Sequence, residues 1–132
     1  MSDEEINYEV VFHEVAETQR DQAFLNILRY AGAKYAEEWY AGLTERAFQI
    51  ADFPGPLALA VDEEASRIFQ TEVRRELYYG PGRRRSSGAT YRILFTIKPP
   101  FDTGDPHTIL ILRILHGAQS LSDPDGEDAP GG

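Results

Sequence analysis

Two apolar runs near the C-terminal end constrain the fold of this chain more than any other feature. The first, "TYRILFTIK", ends at Lys98, and the second, "HTILILRIL", ends at Leu115. Both are short and rich in isoleucine and leucine, as buried strands are, and the second is apolar enough for a central position in a sheet. The connection between them, "PPFDTGDP", has the composition of a loop. A sheet at the C-terminal end is therefore predicted.

The N-terminal part of the chain predicts one strand and two helices. Alternation in "INYEVVF" predicts a strand over Ile6–Phe12. A helix follows that Gly32 could terminate, and its apolar positions at i, i+3, i+4 and i+7 are Phe24, Ile27, Leu28 and Ala31. The second helix begins at once, with apolar positions Ala36, Trp39, Tyr40, Leu43, Ala47 and Ile50. It ends at Asp52–Pro56 because proline cannot continue it, so the two helices form a hairpin with Trp39 in the core.

The middle of the chain changes to a strand-like pattern. The segment Leu57–Gln70 fits a loop with a short helix, but its pattern does not decide. Thr71–Gly80 reads as a strand, and the turn sequence "PGRRRSSGA" connects it to the strand that ends at Lys98, so a β-hairpin is predicted. The expected fold is α+β: an N-terminal strand, a helical hairpin and a three-stranded antiparallel meander, with the helices on one face of a small antiparallel sheet.

The chain is expected to form one domain over residues 1–121, since 132 residues suffice for one modest core. The segment 122–132 is acidic and rich in glycine and proline, which predicts a disordered tail. The acidic N-terminus has no apolar leader, the apolar run Thr108–Leu115 is too short to cross a bilayer, and cysteine is absent. These features predict a cytoplasmic protein with no membrane partner.

The net charge of −9 is unevenly distributed along the chain. Eight basic residues and two glutamates lie between Arg67 and Lys98, which gives this segment a charge of +6 and leaves −15 for the rest. A basic island on an acidic protein favours an anionic partner that is met at one site over general adhesion to nucleic acid.

In their order and spacing, these segments resemble the RelE/ParE superfamily of type II toxin–antitoxin toxins, which are also described as plasmid stabilisation proteins. The resemblance lies in the tryptophan-bearing helical hairpin, in "VRRELYYGPGRRRSSGATYRILFTI" and in "TILILRILHGAQSL", and it covers Asn7–Leu121. It implies growth inhibition by the free toxin and neutralisation by a small cognate antitoxin. It implies no cofactor, and no direct sequence-specific DNA binding without the antitoxin.

Members of this superfamily differ in their targets, and fold alone does not choose between them. The ParE branch inhibits DNA gyrase, and other members are ribosome-dependent endoribonucleases that cut mRNA. In the ribonucleases a strand arginine stabilises the scissile phosphate through planar, bidentate donors, and Arg92 matches that position. A basic residue or histidine at the end of the last strand serves as general acid or base, and His116 matches that one.

Other positions depart from the ribonuclease pattern. Many members carry arginine where this chain has Gln119, and glutamine brings no positive charge to a phosphate. No aromatic or basic residue follows Gln119, so the catalytic tyrosine or histidine near the end of some ribonucleases has no counterpart. The resulting expectation is a toxin that inhibits DNA gyrase. The alternatives are a ribosome-dependent mRNA endoribonuclease using Arg92 and His116, and a decayed, non-toxic relative that serves as a binding module.

A second candidate site is the group of basic residues around the predicted hairpin, which could bind an anionic partner: Arg74, Arg75, Arg83, Arg84 and Arg85. That partner could be nucleic acid or an acidic segment of the antitoxin, and a DNA-reading β-ribbon is a third possibility. A solvated strand and turn would explain the same residues without any function. No metal site is expected, because the three histidines lie far apart in the sequence and there is no thiolate.

Overall fold

The computed structural model of the protein describes residues 7–81, 90–102, 104–117, 119 and 121. Its strands are β1 (Tyr8–Phe12), β2 (Arg74–Tyr78), β3 (Tyr91–Lys98) and β4 (His107–His116); its helices are α1 (Glu14–Ala31), α2 (Ala33–Gln49) and α3 (Glu63–Phe69), with a short 3-10 helix at Pro56–Ala58. The order of strand, helical hairpin and three strands confirms the prediction. The tail that was predicted to be disordered, 122–132, and the hairpin turn, 82–89, lie outside the described residues.

The four strands form one mixed sheet in the order β1-β4-β3-β2. Strands β2, β3 and β4 form the predicted antiparallel meander, but β1 runs parallel to β4, with Tyr8 opposite His107. The prediction of a wholly antiparallel sheet is therefore wrong for this pair. The physical reason is that alternation identifies a strand but not its direction, and the long chain between β1 and β4 permits a parallel return. The apolar strand β4 is central, as predicted.

The helices begin and end at identifiable residues. His13 precedes α1, and its Nδ1 accepts a hydrogen bond of 3.1 Å from the N–H of Val15. Gly32 ends α1 where predicted: its φ of 93° is rarely adopted by residues with a Cβ, and its N–H donates to the carbonyl of Leu28. None of the helices in the described part of the chain is long and apolar enough to cross a bilayer.

Helices α1 and α2 cover one face of the sheet and enclose the larger core. The buried residues of this core include Ile93, Phe95, Ile109 and Ile111 from the sheet and Ile27, Ala36, Trp39, Leu43 and Ala47 from the helices. Trp39 is 2% exposed, which confirms its predicted core position. Leu28 is 37% exposed, so the buried face of α1 is narrower than the apolar spacing predicted.

The third helix packs on the opposite face of the sheet. A smaller core joins α3 to the sheet through Ala65, Val73, Leu94, Leu112, Leu115 and Leu121. A register shift after Leu94 leaves Leu112 as an extra residue on β4, and this β-bulge changes the alternation so that Leu115 lies on the α3 face and Ile114 on the α1 face. The two helices of the predicted hairpin therefore pack on one face, as expected, and α3 adds a helix on the other face. Local periodicity left that segment undecided, and the sheet has apolar residues on both faces to receive helices.

Candidate functional site

Arg92 is the second residue of β3, and the residues paired with it show on which face of the sheet its side chain lies. It lies opposite Leu77 of β2 and Leu115 of β4, and Leu115 belongs to the core beneath α3. Successive side chains of a strand alternate between the two faces of the sheet. Arg92 therefore points toward α3, where its side chain is 20% exposed.

The carboxylate of Asp62 lies beside Arg92. Its Oδ1 accepts a hydrogen bond of 3.0 Å from the N–H of Ala65 and so caps the start of α3. Its Oδ2 lies 3.6 Å from Nη1 of Arg92 and 3.6 Å from Nη1 of Arg75. Because this carboxylate is only 8% exposed, salt and solvent screen the two ion pairs weakly. Two positive charges thus converge on one internal negative charge.

Gln119 holds the other side of Arg92. Its backbone carbonyl accepts a hydrogen bond from Nη2 of Arg92. Its side-chain oxygen accepts a hydrogen bond of 3.0 Å from the backbone N–H of His116 and closes the turn after β4. The glutamine that departs from the ribonuclease pattern therefore has a structural role. We call Asp62, Arg75, Arg92 and Gln119 the arginine–aspartate cluster.

The side chain of His116 lies on the opposite face of the sheet. It ends β4 and pairs with Tyr91 of β3, and the two rings meet edge to face with centroids 4.9 Å apart. Tyr91 belongs to the core beneath α1 and α2. The imidazole of His116 is exposed and makes no hydrogen bond within the described part of the chain.

The structure does not bring Arg92 and His116 together. They lie at the same end of the sheet, but Arg92 points toward α3 and His116 toward α1. A general acid or base must come within hydrogen-bond reach of the proton that it transfers, and a phosphate-binding arginine must contact the same phosphate group. The sheet itself separates the two candidates, so this arrangement does not provide a joint phosphate site.

The structure also separates the members of the predicted anion-binding group that it describes. Arg75 shares the α3 face with Arg92, and its side chain is 38% exposed. Arg74 is held elsewhere: its Nη1 donates to the carbonyl of Leu59 at 2.5 Å, and its Nη2 lies 3.2 Å from Glu72. Arg74 therefore fixes the loop before α3 to β2. The remaining members, Arg83, Arg84 and Arg85, lie outside the described residues.

Asp62 is the member of the cluster that sequence reasoning missed. It lies in the segment that fitted a loop with a short helix without deciding between structures, and its partner Arg92 is far away along the chain. A local signal was present, because an aspartate followed by two glutamates and an apolar residue is typical of a helix start. That signal predicts the cap of α3 but does not predict the ion pairs.

Two buried tyrosines on the α1 face have perturbed acidity. Burial, followed by the neighbouring phenols of Tyr30 and Tyr35, raises the pKa of Tyr91 to about 12. Burial is also the main cause that raises the pKa of Tyr78 to about 12, and the Tyr78 hydroxyl donates to the carbonyl of Trp39 at 3.1 Å. Both phenols are therefore neutral hydrogen-bond donors in the physiological pH range.

Comparisons with known proteins add no assignment to this geometry. No family model matches the chain, and no curated protein matches it. Within the described residues, histidine and carboxylate side chains form no cluster of three that could hold a metal ion. What the protein does is therefore inferred from its fold and from the two faces of its sheet.

Proposed function

We propose that the protein is a RelE/ParE-like toxin of a type II toxin–antitoxin system, which blocks growth by binding DNA gyrase and is neutralised by a cognate antitoxin. The order of elements supports this proposal, because the strand, helical hairpin and antiparallel meander are those that the sequence resemblance implies. The tryptophan of the second helix and the apolar strand before His116 lie in the core and at the centre of the sheet.

The observation that carries the choice of target is the separation of Arg92 from His116. A ribonuclease that used both residues would need them at one phosphate. Here they serve opposite faces of the sheet, and Arg92 is already paired with Asp62 and bonded to Gln119. This favours inhibition by binding over phosphodiester cleavage.

The charge of the protein favours the same choice. A net charge of −9 repels the mRNA backbone at long range, and the internal carboxylate of Asp62 cancels one of the two charges that Arg75 and Arg92 offer. A protein target imposes no such electrostatic cost, since its surface can supply complementary charges.

Induced expression in a bacterial host without antitoxin tests the proposal, with DNA and protein synthesis followed separately by pulse labelling. We expect DNA synthesis to fall first. An early fall in protein synthesis that is lost in both Arg92→Gln and His116→Ala would instead identify a ribonuclease. Unimpeded growth with soluble, folded protein would contradict both activities and leave a non-toxic binding module.

A further inference from the structure

A groove of about 480 Å³ opens on the α1 face, between α1 and the ends of β3 and β4. One wall is a polar stripe of α1 whose residues recur at helical spacing, i, i+3, i+7 and i+10: Gln19, Gln22, Asn26 and Arg29. The opposite wall contains Tyr91 and His116. We call this space the α1 groove. Its size is within the range of small-molecule sites in proteins.

The described residues that line the α1 groove carry a charge opposite in sign to that of the protein. The protein is acidic, yet none of the acidic residues in the described part of the chain lines the groove. Arg29 lines it and forms no ion pair with any described residue. A guanidinium carries a permanent charge and a planar fork of donors that matches the oxygens of phosphate. An anion is therefore the ligand that this lining favours.

Further hydrogen-bonding groups around Arg29 have no partner in the described part of the chain. These are the side-chain amides of Gln22 and Asn26, the hydroxyl of Tyr91 and the imidazole of His116. Gln19 uses its Oε1 to accept a hydrogen bond of 2.7 Å from the N–H of Ile114, which fixes α1 against β4. The two walls are thus held together while their remaining donors stay available.

The rim of the α1 groove carries an aromatic ring. Tyr30 follows Arg29, lines the groove and is 76% exposed. An exposed phenol beside a phosphate-binding group is a surface on which a planar ring can stack. Arg29 and the hydrogen-bonding groups around it have no partner among the described residues, and Tyr30 adds an exposed ring. From these observations we propose that the α1 groove binds a small phosphate ester that carries a planar ring. Gln119 of the arginine–aspartate cluster lines one end of the α1 groove, but Arg29 and Tyr30 lie on the other face of the sheet from Asp62, Arg75 and Arg92. The occupancy of the α1 groove does not depend on the proposed function.

Adenosine 5′-monophosphate is a suitable probe, with inorganic phosphate and adenosine as its two halves. Binding to the full chain is followed by amide chemical shifts in nuclear magnetic resonance titrations. We expect shifts at residues of the α1 groove, and tighter binding of the monophosphate than of either half. Absence of shifts at millimolar probe, or shifts confined to the α3 face, would overturn the proposal.

The contribution of the charge to binding is tested at Arg29. Arg29→Gln should weaken binding of the monophosphate by about tenfold, the usual scale for one charge-assisted contact. Lys34→Gln is the matched control, because Lys34 is exposed and pairs with Glu38 away from the groove. An equal loss of binding in Arg29→Gln and Lys34→Gln would mean that the probe is attracted by the general charge of the protein, and it would overturn the proposed site.

Tyr30→Ala tests the stacking surface. It should weaken adenosine 5′-monophosphate about fivefold and leave inorganic phosphate unchanged, since stacking requires the ring. An equal effect on both probes would contradict that assignment. A 5′-phosphorylated tetraadenylate distinguishes the source of the ligand: binding as tight as that of the monophosphate would assign the α1 groove to a nucleic-acid end, and much weaker binding would assign it to a free metabolite.

Discussion

On the α3 face of the sheet, Arg92 and Arg75 share the buried carboxylate of Asp62, whereas on the α1 face Arg29 lines an open groove and forms no ion pair with the described residues. The sequence resemblance points to Arg92, but the structure leaves Arg29 with the more available charge. The difference teaches that an arginine can bind a ligand only to the extent that the fold has not already neutralised it. A position on the strand that matches the family's catalytic arginine is therefore not sufficient evidence that Arg92 binds a phosphate.

The largest effect is expected from removal of the shared carboxylate, which tests whether the two faces of the sheet differ in how their arginines are paired. Asp62→Ala deletes the cap of α3 and leaves two arginines around an empty position, so we expect the free energy of unfolding to fall by about 3 kcal/mol. Arg29→Gln, on the open face, should change it by less than about 0.5 kcal/mol. Urea denaturation of both variants measures the contrast.

The control for that prediction is Asp62→Asn. Asparagine keeps a good helix cap but removes the charge, so this variant should lose less stability than Asp62→Ala. It should also increase binding of inorganic phosphate at Arg75 and Arg92, since the internal competitor is gone. Equal stability of all three variants and the parent protein would show that the two faces do not differ as described.

A smaller effect is expected from the aromatic residues beneath the α1 groove. Tyr91 packs against Trp39, and Trp39 contacts Tyr78. The hydroxyl of Tyr78 would clash with a Cβ at Gly42 of α2. Gly42→Ala should therefore lower the free energy of unfolding by about 2 kcal/mol through overpacking, although alanine favours helix by about 1 kcal/mol.

Thermal or urea denaturation of a double-mutant cycle checks this contact. In the background of Tyr78→Phe, which removes the hydroxyl, the cost of Gly42→Ala should be smaller. A Gly42→Ala variant more stable than the parent protein would mean that helix propensity outweighs the contact and that Tyr78 does not rest on α2.

A further effect is expected only at alkaline pH, outside the range in which the protein functions. The pKa values of Tyr78 and Tyr91 are raised to about 12 in the folded protein from an ordinary 10.0, so the neutral phenols stabilise the fold. That contribution is complete below pH 10 and is lost as the pH rises toward 12. Ultraviolet absorbance of phenolate and denaturation at several pH values should show the loss, and Tyr91→Phe should reduce it.

Replacement of the exposed Tyr30 by phenylalanine is the matched control for that titration. It should leave most of the alkaline loss of stability in place. If Tyr91→Phe and Tyr30→Phe had the same effect, burial would not be the cause of the shift at Tyr91.

Local pattern predicted the elements of this fold because each depends on nearby residues. The spacing around Trp39, the glycine at position 32 and the apolar run of β4 were sufficient for the helical hairpin and the central strand. The parallel pairing of β1 was not predictable in this way, since side-chain alternation is the same for both strand directions. The place of α3 was not predictable either, because β3 and β4 are apolar on both faces and the pattern of the α3 segment did not decide its structure.

The candidate site was predicted less well for a related reason. Arg92 and His116 were recognised as individual residues, but which face each serves depends on the register between β3 and β4. The pairing of Arg92 with Asp62 joins two segments far apart in the chain, and no periodicity connects them. The α1 groove joins a polar stripe of one helix to the end of a strand, and the sequence shows only the stripe.

The most direct test of the proposed function compares two activities of the purified protein side by side. One reaction measures supercoiling by DNA gyrase, and the other measures cleavage of mRNA on translating ribosomes. The separation of Arg92 from His116 predicts that supercoiling is blocked and that the mRNA stays intact. Cleaved mRNA, with cleavage lost in His116→Ala and supercoiling unaffected, would contradict the proposal.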